Sequence, residues 1–330
     1  MADEGSSCKH HVLRVIDILV GCIFIAPLVV LYWRTTWKLM DIYVFPSHSD
    51  ISGIICTVVG FTVSFIIVII HPQITYKTTL SRIIWRASVY LMSLSCISFW
   101  RGIWLILDHT TTMTWMSYLV CHSIAFAILS ATKTVSSIVS PPGFLINDFY
   151  VDSPTIKTVG FKNNENRIGK TICNGVLTVM VVGTLVVTYW RGTWSILDYI
   201  TVGISGLNNS ILSFSVGCGV CIIGYITAEP LKTKARNVSS GTAVLMEHVF
   251  VYFLGVSVVN VWRGVWSMCD ILILQGNPAP KTIITHFLTL LMMYFGQAAY
   301  NLIGSPIGCR THDTESFEGF SMGSFLKTQP

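Results

Sequence analysis

The chain has 330 residues, of which 52% are hydrophobic and 11% are charged, and its mean hydropathy is +0.64. Soluble domains carry about 25% charged residues, so this composition excludes an ordinary soluble protein and indicates a polytopic membrane protein. The formal net charge of +5 is small and dispersed, which excludes a nucleic-acid-binding protein. The ten cysteines lie mostly within apolar segments, as small buried side chains do, rather than in a disulfide framework.

Eight segments are predicted to be membrane-spanning helices, since a span needs about 20 mostly apolar residues. In chain order they are residues 12–40, 51–70, 80–107, 116–134, 168–197, 201–226, 242–269 and 282–303. The odd-numbered helices are the longest of these, and the sixth helix is nearly as long. Because they exceed a hydrocarbon core of about 30 Å, they must tilt or project beyond it.

Polar and proline-containing residues 140–167 separate two four-helix halves, residues 12–139 and 168–305. Residues 1–11 and 306–330 are the flanking polar segments. The terminal segments and the connections after helices two, four and six hold 15 of the 21 Lys and Arg residues. We therefore expect both termini and the 140–167 loop to be cytoplasmic. The predicted fold is all-α, a polytopic membrane bundle of eight transmembrane helices.

A motif of the form Trp-Arg-(Gly/Thr)-x-Trp-x-x-x-Asp recurs near the end of every odd-numbered helix. The four copies hold eight of the ten tryptophans, so chance does not explain the repeat. Because each repeat unit contains an even number of spans, the prediction is four parallel repeats, each a hairpin of one odd helix and the even helix after it. The motif residues are Trp33, Arg34, Trp37, Asp41, Trp100, Arg101, Trp104, Asp108, Trp190, Arg191, Trp194, Asp198, Trp262, Arg263, Trp266 and Asp270.

The spacing places both tryptophans and the aspartate of one copy on one helix stripe, with the arginine two turns before the aspartate. One interpretation is an interfacial belt of tryptophan with snorkelling arginine. We prefer a ring in which each arginine pairs with an aspartate of its own or a neighbouring hairpin and so locks the four units together. A third interpretation makes this ring the mouth of a pore or an anion-attracting vestibule.

Small residues beside three of the arginines, Gly102, Gly192 and Gly264, favour close helix approach, whereas Thr35 departs from this rule. Three further polar residues, His122, Gln297 and Asn301, are the best candidates for polar groups near the membrane midplane. An interhelical hydrogen bond is the commoner role for such residues, and a transport ligand is the alternative.

The sequence lacks the motifs that carry most enzyme chemistry. It has no paired carboxylates at membrane depth, no metal-binding His pair, no phosphate-binding loop and no nucleophile elbow. We therefore expect a protein that is not an enzyme and that has no cofactor and no catalytic or metal site.

The fourfold motif in an eight-span chain resembles the fuseless family of animal multi-pass membrane proteins, over about residues 12–305. The resemblance implies a neuronal plasma-membrane protein, presynaptic in location, that supports synaptic transmission and organises calcium channels. It implies no catalytic residues. The expected partners are membrane lipids and channel or presynaptic scaffold proteins, with no nucleic acid. The alternative function is an ion or small-solute transporter or channel.

An organiser needs a surface that its partners recognise, and the external connections 108–115 and 198–202 are little more than turns. The polar segments 140–167 and 310–330 are larger. Segments of this kind fold on a partner in many proteins, and the alternative is that they serve only as linker and tail. They are the predicted partner-binding segments.

Overall fold

The computed structural model describes residues 15–70, 79–150, 168–276 and 278–307. The predicted N-terminal segment, most of the 140–167 loop and nearly all of the tail lie outside these ranges. Eight long helices form the described part of the chain. They are α1 (Val15–Tyr43), α2 (Ser49–Ile70), α3 (Thr79–Thr110), α4 (Trp115–Ala131), α5 (Gly169–Ile200), α6 (Gly206–Arg236), α7 (Ser240–Leu272) and α8 (Pro278–Phe295).

Six of the eight helices are long and apolar enough to cross a membrane, namely α1, α2, α3, α5, α6 and α7. The remaining two are shorter, with 17 residues in α4 and 18 in α8. At 1.5 Å per residue, α1 measures about 43 Å, whereas α4 measures about 26 Å and α8 about 27 Å. The predicted number of helices is therefore found, but the number that meets the criteria for a span is six.

Both short helices end before the sequence predicts, at Ala131 rather than 134 and at Phe295 rather than 303. The cause is a residue in the left-handed conformation just after each helix, Lys133 with φ 57° and Gln297 with φ 53°. The N–H of the residue that follows each of them returns to a carbonyl of the last helical turn at 2.9 Å. This left-handed cap stops a helix even where the apolar sequence continues.

The motif-bearing helices α1, α3, α5 and α7, which we call the motif helices, form a closed inner ring in which each packs on the next and α7 packs on α1. The peripheral helices α2, α4, α6 and α8 lie outside it. Each contacts mainly the motif helix that follows it, with α8 returning to α1. The closely packed pair is therefore not the predicted hairpin of an odd helix and the even helix after it.

Gly102 shows why this pairing is so close. A Cβ atom at position 102 would overlap the backbone nitrogen of Thr57 and lie 2.8 Å from the carbonyl oxygen of Gly53, both on α2. The motif glycines Gly192 and Gly264 lie as close to the backbones of α4 and α6. The glycine of the motif thus lets the peripheral helix approach to backbone contact, as small residues do between membrane helices.

We expect Gly102→Ala to lower the midpoint of thermal unfolding in detergent by several degrees. Overpacking costs about 1–3 kcal/mol, and here the opposing atoms belong to the backbone of α2, which cannot rotate away. The matched control is Gly219→Ala on α6, because nothing lies within 4 Å of a Cβ at that position. Equal midpoints for the two variants would contradict the close contact.

Two non-helical segments enter the centre of the bundle, the first central segment (residues 132–148) after α4 and the second central segment (residues 296–307) after α8. Each contains a short 3₁₀ helix, Val135–Ile138 in the first and Ala299–Leu302 in the second. Most of their side chains are buried. Residues 140–148 were predicted to begin an exposed loop, but Phe144 and Leu145 pack in the core, so this part of the loop is not free to bind a partner.

Polar side chains join the two central segments to each other. The Asn301 amide donates to the Ile146 carbonyl at 2.7 Å and accepts from the Ile146 N–H at 2.9 Å. The Asp148 carboxylate accepts from the backbone N–H groups of Ala299 and Tyr300 at 2.8 and 3.0 Å. Non-helical backbone inside a membrane bundle requires such partners, because lipid provides none.

Candidate functional site: the tryptophan tetrads and the ion-pair ring

The first tryptophan of each motif copy meets its three equivalents on the bundle axis. Neighbouring ring centroids are 5.2–5.3 Å apart and the ring planes cross at 79–85°, an edge-to-face arrangement that aromatic rings prefer. All four side chains are at most 5% exposed. Equivalent positions meet in one layer only if the motif helices run parallel. We call this ring the deep tetrad, formed by Trp33, Trp100, Trp190 and Trp262.

Every indole N–H of the deep tetrad donates to a backbone carbonyl of a central segment, over 2.6–2.9 Å. Buried backbone carbonyls need a hydrogen-bond donor. The indole N–H of tryptophan supplies one here, and phenylalanine has no such group. The acceptors are the carbonyls of Leu302 for Trp33, Ser305 for Trp100, Ile138 for Trp190 and Pro141 for Trp262. Because Trp33 precedes the end of α1 by ten residues, these bonds lie about 15 Å inside the bundle.

The second tryptophans of the motif form another closed ring one helical turn nearer the motif end of the bundle. Their centroids are 5.5–6.0 Å apart, with planes crossing at 81–90°. All four are half-buried. Since both rings are built from tryptophans that pack on one another around the axis, the interfacial-belt interpretation does not describe them. We call this ring the rim tetrad, formed by Trp37, Trp104, Trp194 and Trp266.

The motif arginines and aspartates form a ring of ion pairs. In every pair the arginine Nε donates to the aspartate of the preceding motif copy, and the first copy pairs with the fourth to close the ring. The predicted ring is therefore present, and its short pairs join neighbouring motif helices. The Nε to Oδ1 distances are 2.9 Å for Arg101–Asp41 and 2.6 Å for Arg191–Asp108, Arg263–Asp198 and Arg34–Asp270.

The four guanidinium groups differ in their other partners. The Arg263 terminal nitrogens also donate to Asn209, Ser213 and Thr201, and that of Arg101 donates to Ser52 and Cys56. By contrast, Nη1 and Nη2 of Arg191 are buried and have no hydrogen-bond partner among the described residues. The Arg191 guanidinium instead lies 5.3 Å from the ring centroid of Tyr118.

A cavity of about 290 Å³ is lined by both tetrads together with Arg34 and Asp41. We call it the vestibule. The four arginine side chains of the ion-pair ring are 1–12% exposed, whereas the four aspartates are 31–54% exposed. A vestibule thus lies where the third interpretation predicted one. Its two charged lining residues are Arg34 and Asp41, and Asp41 is the more exposed.

His122 lies on helix α4 and its side chain contacts helix α5. Its Nδ1 is 2.8 Å from the Thr193 hydroxyl, and its ring stacks on Tyr189 at 4.7 Å. His286 on α8, which was not among the predicted polar residues, makes the same two contacts to the equivalent Tyr and Thr of α1. Aligning the two halves of the chain reveals it, since a tyrosine precedes the motif tryptophan in copies one and three only.

The other two predicted midplane residues, Gln297 and Asn301, belong to the second central segment. Asn301 connects the two central segments, and Gln297 lies in the turn after α8, where its side-chain amide donates to Tyr294 at 3.3 Å. The residues that line the vestibule include neither of them, nor His122. His122 and Asn301 make the interhelical and intersegment hydrogen bonds that were the commoner expectation, and Gln297 also accepts from Arg86 of α3 at 3.4 Å.

The fold and its axial rings define the class as a multi-pass helical membrane protein with a core of four parallel motif helices. A family model described as Fuseless matches residues 12–302, a range that includes all four motif copies. The chain belongs to the Fuseless family, as the motif resemblance predicted. No curated protein and no solved structure matches it.

Proposed function

We propose that this protein is a non-catalytic, eight-span protein of the presynaptic plasma membrane that organises partners such as voltage-gated calcium channels. Membership of the Fuseless family supports this function. The structural observation that supports it is that packed side chains occupy the axis of the bundle. The deep tetrad closes the vestibule, and its indole groups bond directly to the buried central segments beneath it. A bundle whose axis is packed in this way is suited to a scaffold rather than to conduction.

Two features support eight spans with both termini in the cytoplasm. The helices α4 and α8 extend over about 26 and 27 Å, close to a hydrocarbon core of about 30 Å. At the motif end, four of the basic residues belong to the ion-pair ring. The opposite end carries basic residues outside that ring, which favours a cytoplasmic location. Among the described residues they include Arg86, Lys133, Lys170, Lys232, Lys234 and Arg236.

The organising function predicts that neurons without this protein have fewer calcium channels at the presynaptic membrane. The full chain should restore the density of channels, measured by immunolabelling and by presynaptic calcium entry. A variant with residues 151–167 replaced by a Gly/Ser linker should reach the membrane but restore less, because the polar part of the predicted partner segment is gone. A normal channel density in the absence of the protein would overturn the proposal.

Transport is the second candidate, and one observation favours it. Buried non-helical backbone near the middle of a membrane bundle, as in the two central segments, is a feature of many transporters. Purified protein in liposomes distinguishes the two functions. The organiser should show no ion or solute flux, whereas flux that is lost in His122→Ala or Arg101→Ala would establish transport.

A further inference from the structure

We propose that the vestibule binds a small organic cation of the ammonium type, held by the rim tetrad and by the carboxylate of Asp41. This inference goes beyond the organising function, since an organiser needs no ligand. It also requires no transport, because the deep tetrad and the central segments close the vestibule at its inner end.

The size of the vestibule limits the ligand. Its volume of about 290 Å³ lies at the lower end of the range for small-molecule sites, roughly 300–1,000 Å³. Eight of its ten lining residues are tryptophans, and the other two are Arg34 and Asp41. An aromatic cavity of this size with few polar groups suits a compact molecule with one charged group.

The rim tetrad provides the attraction for a cation. Its centroids form a nearly square ring with sides of 5.5–6.0 Å. The centre of such a square lies about 4 Å from all four centroids, within the roughly 6 Å over which tryptophan attracts a cation. The chain itself shows the interaction, because the guanidinium carbon of Arg34 lies 4.9 Å from the Trp266 ring. The rings of Trp37, Trp104 and Trp194 remain for a ligand.

The charges around the vestibule select the sign of the ligand. The lining contains one residue of each charge, Arg34 and Asp41, and Asp41 is the more exposed, at 34% against 12%. Asp41 uses Oδ1 for its short bond to Arg101, and its Oδ2 lies 3.9 Å from Nη1 of Arg34. Two further cations of the motif end, Lys38 and Lys281, do not line the cavity. An anion would need an exposed guanidinium donor, whereas a cation meets the exposed carboxylate of Asp41 and aromatic rings.

Choline and tetramethylammonium are suitable probes, with 3,3-dimethylbutan-1-ol as the neutral molecule of the same shape as choline. Because eight of the ten tryptophans lie in the two tetrads, intrinsic fluorescence of the purified full chain reports on this site. We expect both cations to change the fluorescence in a saturable manner and to raise the midpoint of thermal unfolding, since a ligand that binds only the folded state stabilises it. The neutral alcohol should do neither.

Trp104→Leu should weaken choline binding by about tenfold, because it removes one cation–π contact. The matched control is Trp115→Leu, since Trp115 is 49% exposed and lies outside both tetrads. If Trp104→Leu does not fold, Trp104→Phe keeps a ring at the site and should bind choline more weakly than the original chain but measurably. Fluorescence titration measures all of these affinities.

Three results would overturn the proposal. The first is no saturable response to either cation at millimolar concentration. The second is equal binding of choline and its neutral analogue, which would make the vestibule an apolar pocket without charge selection. The third is an equal effect of the Trp104 and Trp115 substitutions, which would place the cation elsewhere on the protein.

Discussion

Asp108→Ala should destabilise this protein far more than the same change at Asp198. Both carboxylates accept from an arginine Nε at 2.6 Å. Without Asp198, Arg263 keeps its hydrogen bonds to three other side chains, so the free energy of unfolding should fall by only about 1–2 kcal/mol. Without Asp108, the buried guanidinium of Arg191 has no hydrogen-bonding side chain left in the part of the chain that the structure describes, and an uncompensated buried charge costs about 3–5 kcal/mol.

Thermal unfolding in detergent, together with the amount of protein at the cell surface, measures the difference. The double variant Asp108→Leu with Arg191→Met should recover most of the lost stability, because apolar side chains of similar volume replace a buried ion pair with little loss. Equal destabilisation by Asp108→Ala and Asp198→Ala, or no recovery in the double variant, would contradict the role assigned to these pairs.

Trp190→Ala has the second large expected effect, an unfolding free energy lower by about 3–5 kcal/mol or more. The substitution empties a fully buried site and removes two ring contacts at 5.2 Å. It also leaves the buried Ile138 carbonyl without its indole donor, which costs a further 1–3 kcal/mol or so. We expect little folded protein at the membrane.

Trp190→Phe separates the hydrogen bond from the packing, since it keeps an aromatic ring and removes the N–H. It should lower the free energy of unfolding by about 1–3 kcal/mol, because the Ile138 carbonyl loses its donor. The smaller ring volume adds a lesser destabilisation. Trp194→Phe is the matched control, because the indole N–H of Trp194 has no hydrogen-bond partner among the described residues. Thermal unfolding and near-ultraviolet circular dichroism report on both variants. Equal stabilities would show that the bonds to the central segments contribute little.

The candidate site follows from the repeat to a large extent. Four copies on parallel helices must place like residues in layers, so the spacing of the motif predicts the rings of tryptophan and of complementary charges. The spacing does not predict which aspartate each arginine contacts. Within one copy the arginine and aspartate are seven residues apart, about 10.5 Å along the axis, whereas a neighbouring helix brings another aspartate to 2.6–2.9 Å from the arginine Nε. In the first copy Arg34 Nη1 also lies 3.9 Å from Oδ2 of its own Asp41.

The path of the two central segments could not be predicted from the sequence, for a different reason. Residues 132–148 and 296–307 contain enough apolar side chains to extend the predicted helices, and hydropathy does not distinguish a buried helix from buried coil. Their path depends on the left-handed caps at Lys133 and Gln297 and on indole donors that lie 52 to 269 positions away in the chain. Contacts of such sequence separation form only in the assembled bundle.

The sequence by itself determined the membrane class, the helical composition, the family and the identity of the residues in the axial rings, because composition and a fourfold motif are local properties. Only the tertiary structure decided that the tryptophans face the axis rather than lipid. It likewise decided that each peripheral helix packs on the motif helix after it, where glycine permits backbone contact. Both outcomes depend on which surfaces meet when the ring closes, and the order of residues along one helix does not specify its neighbours.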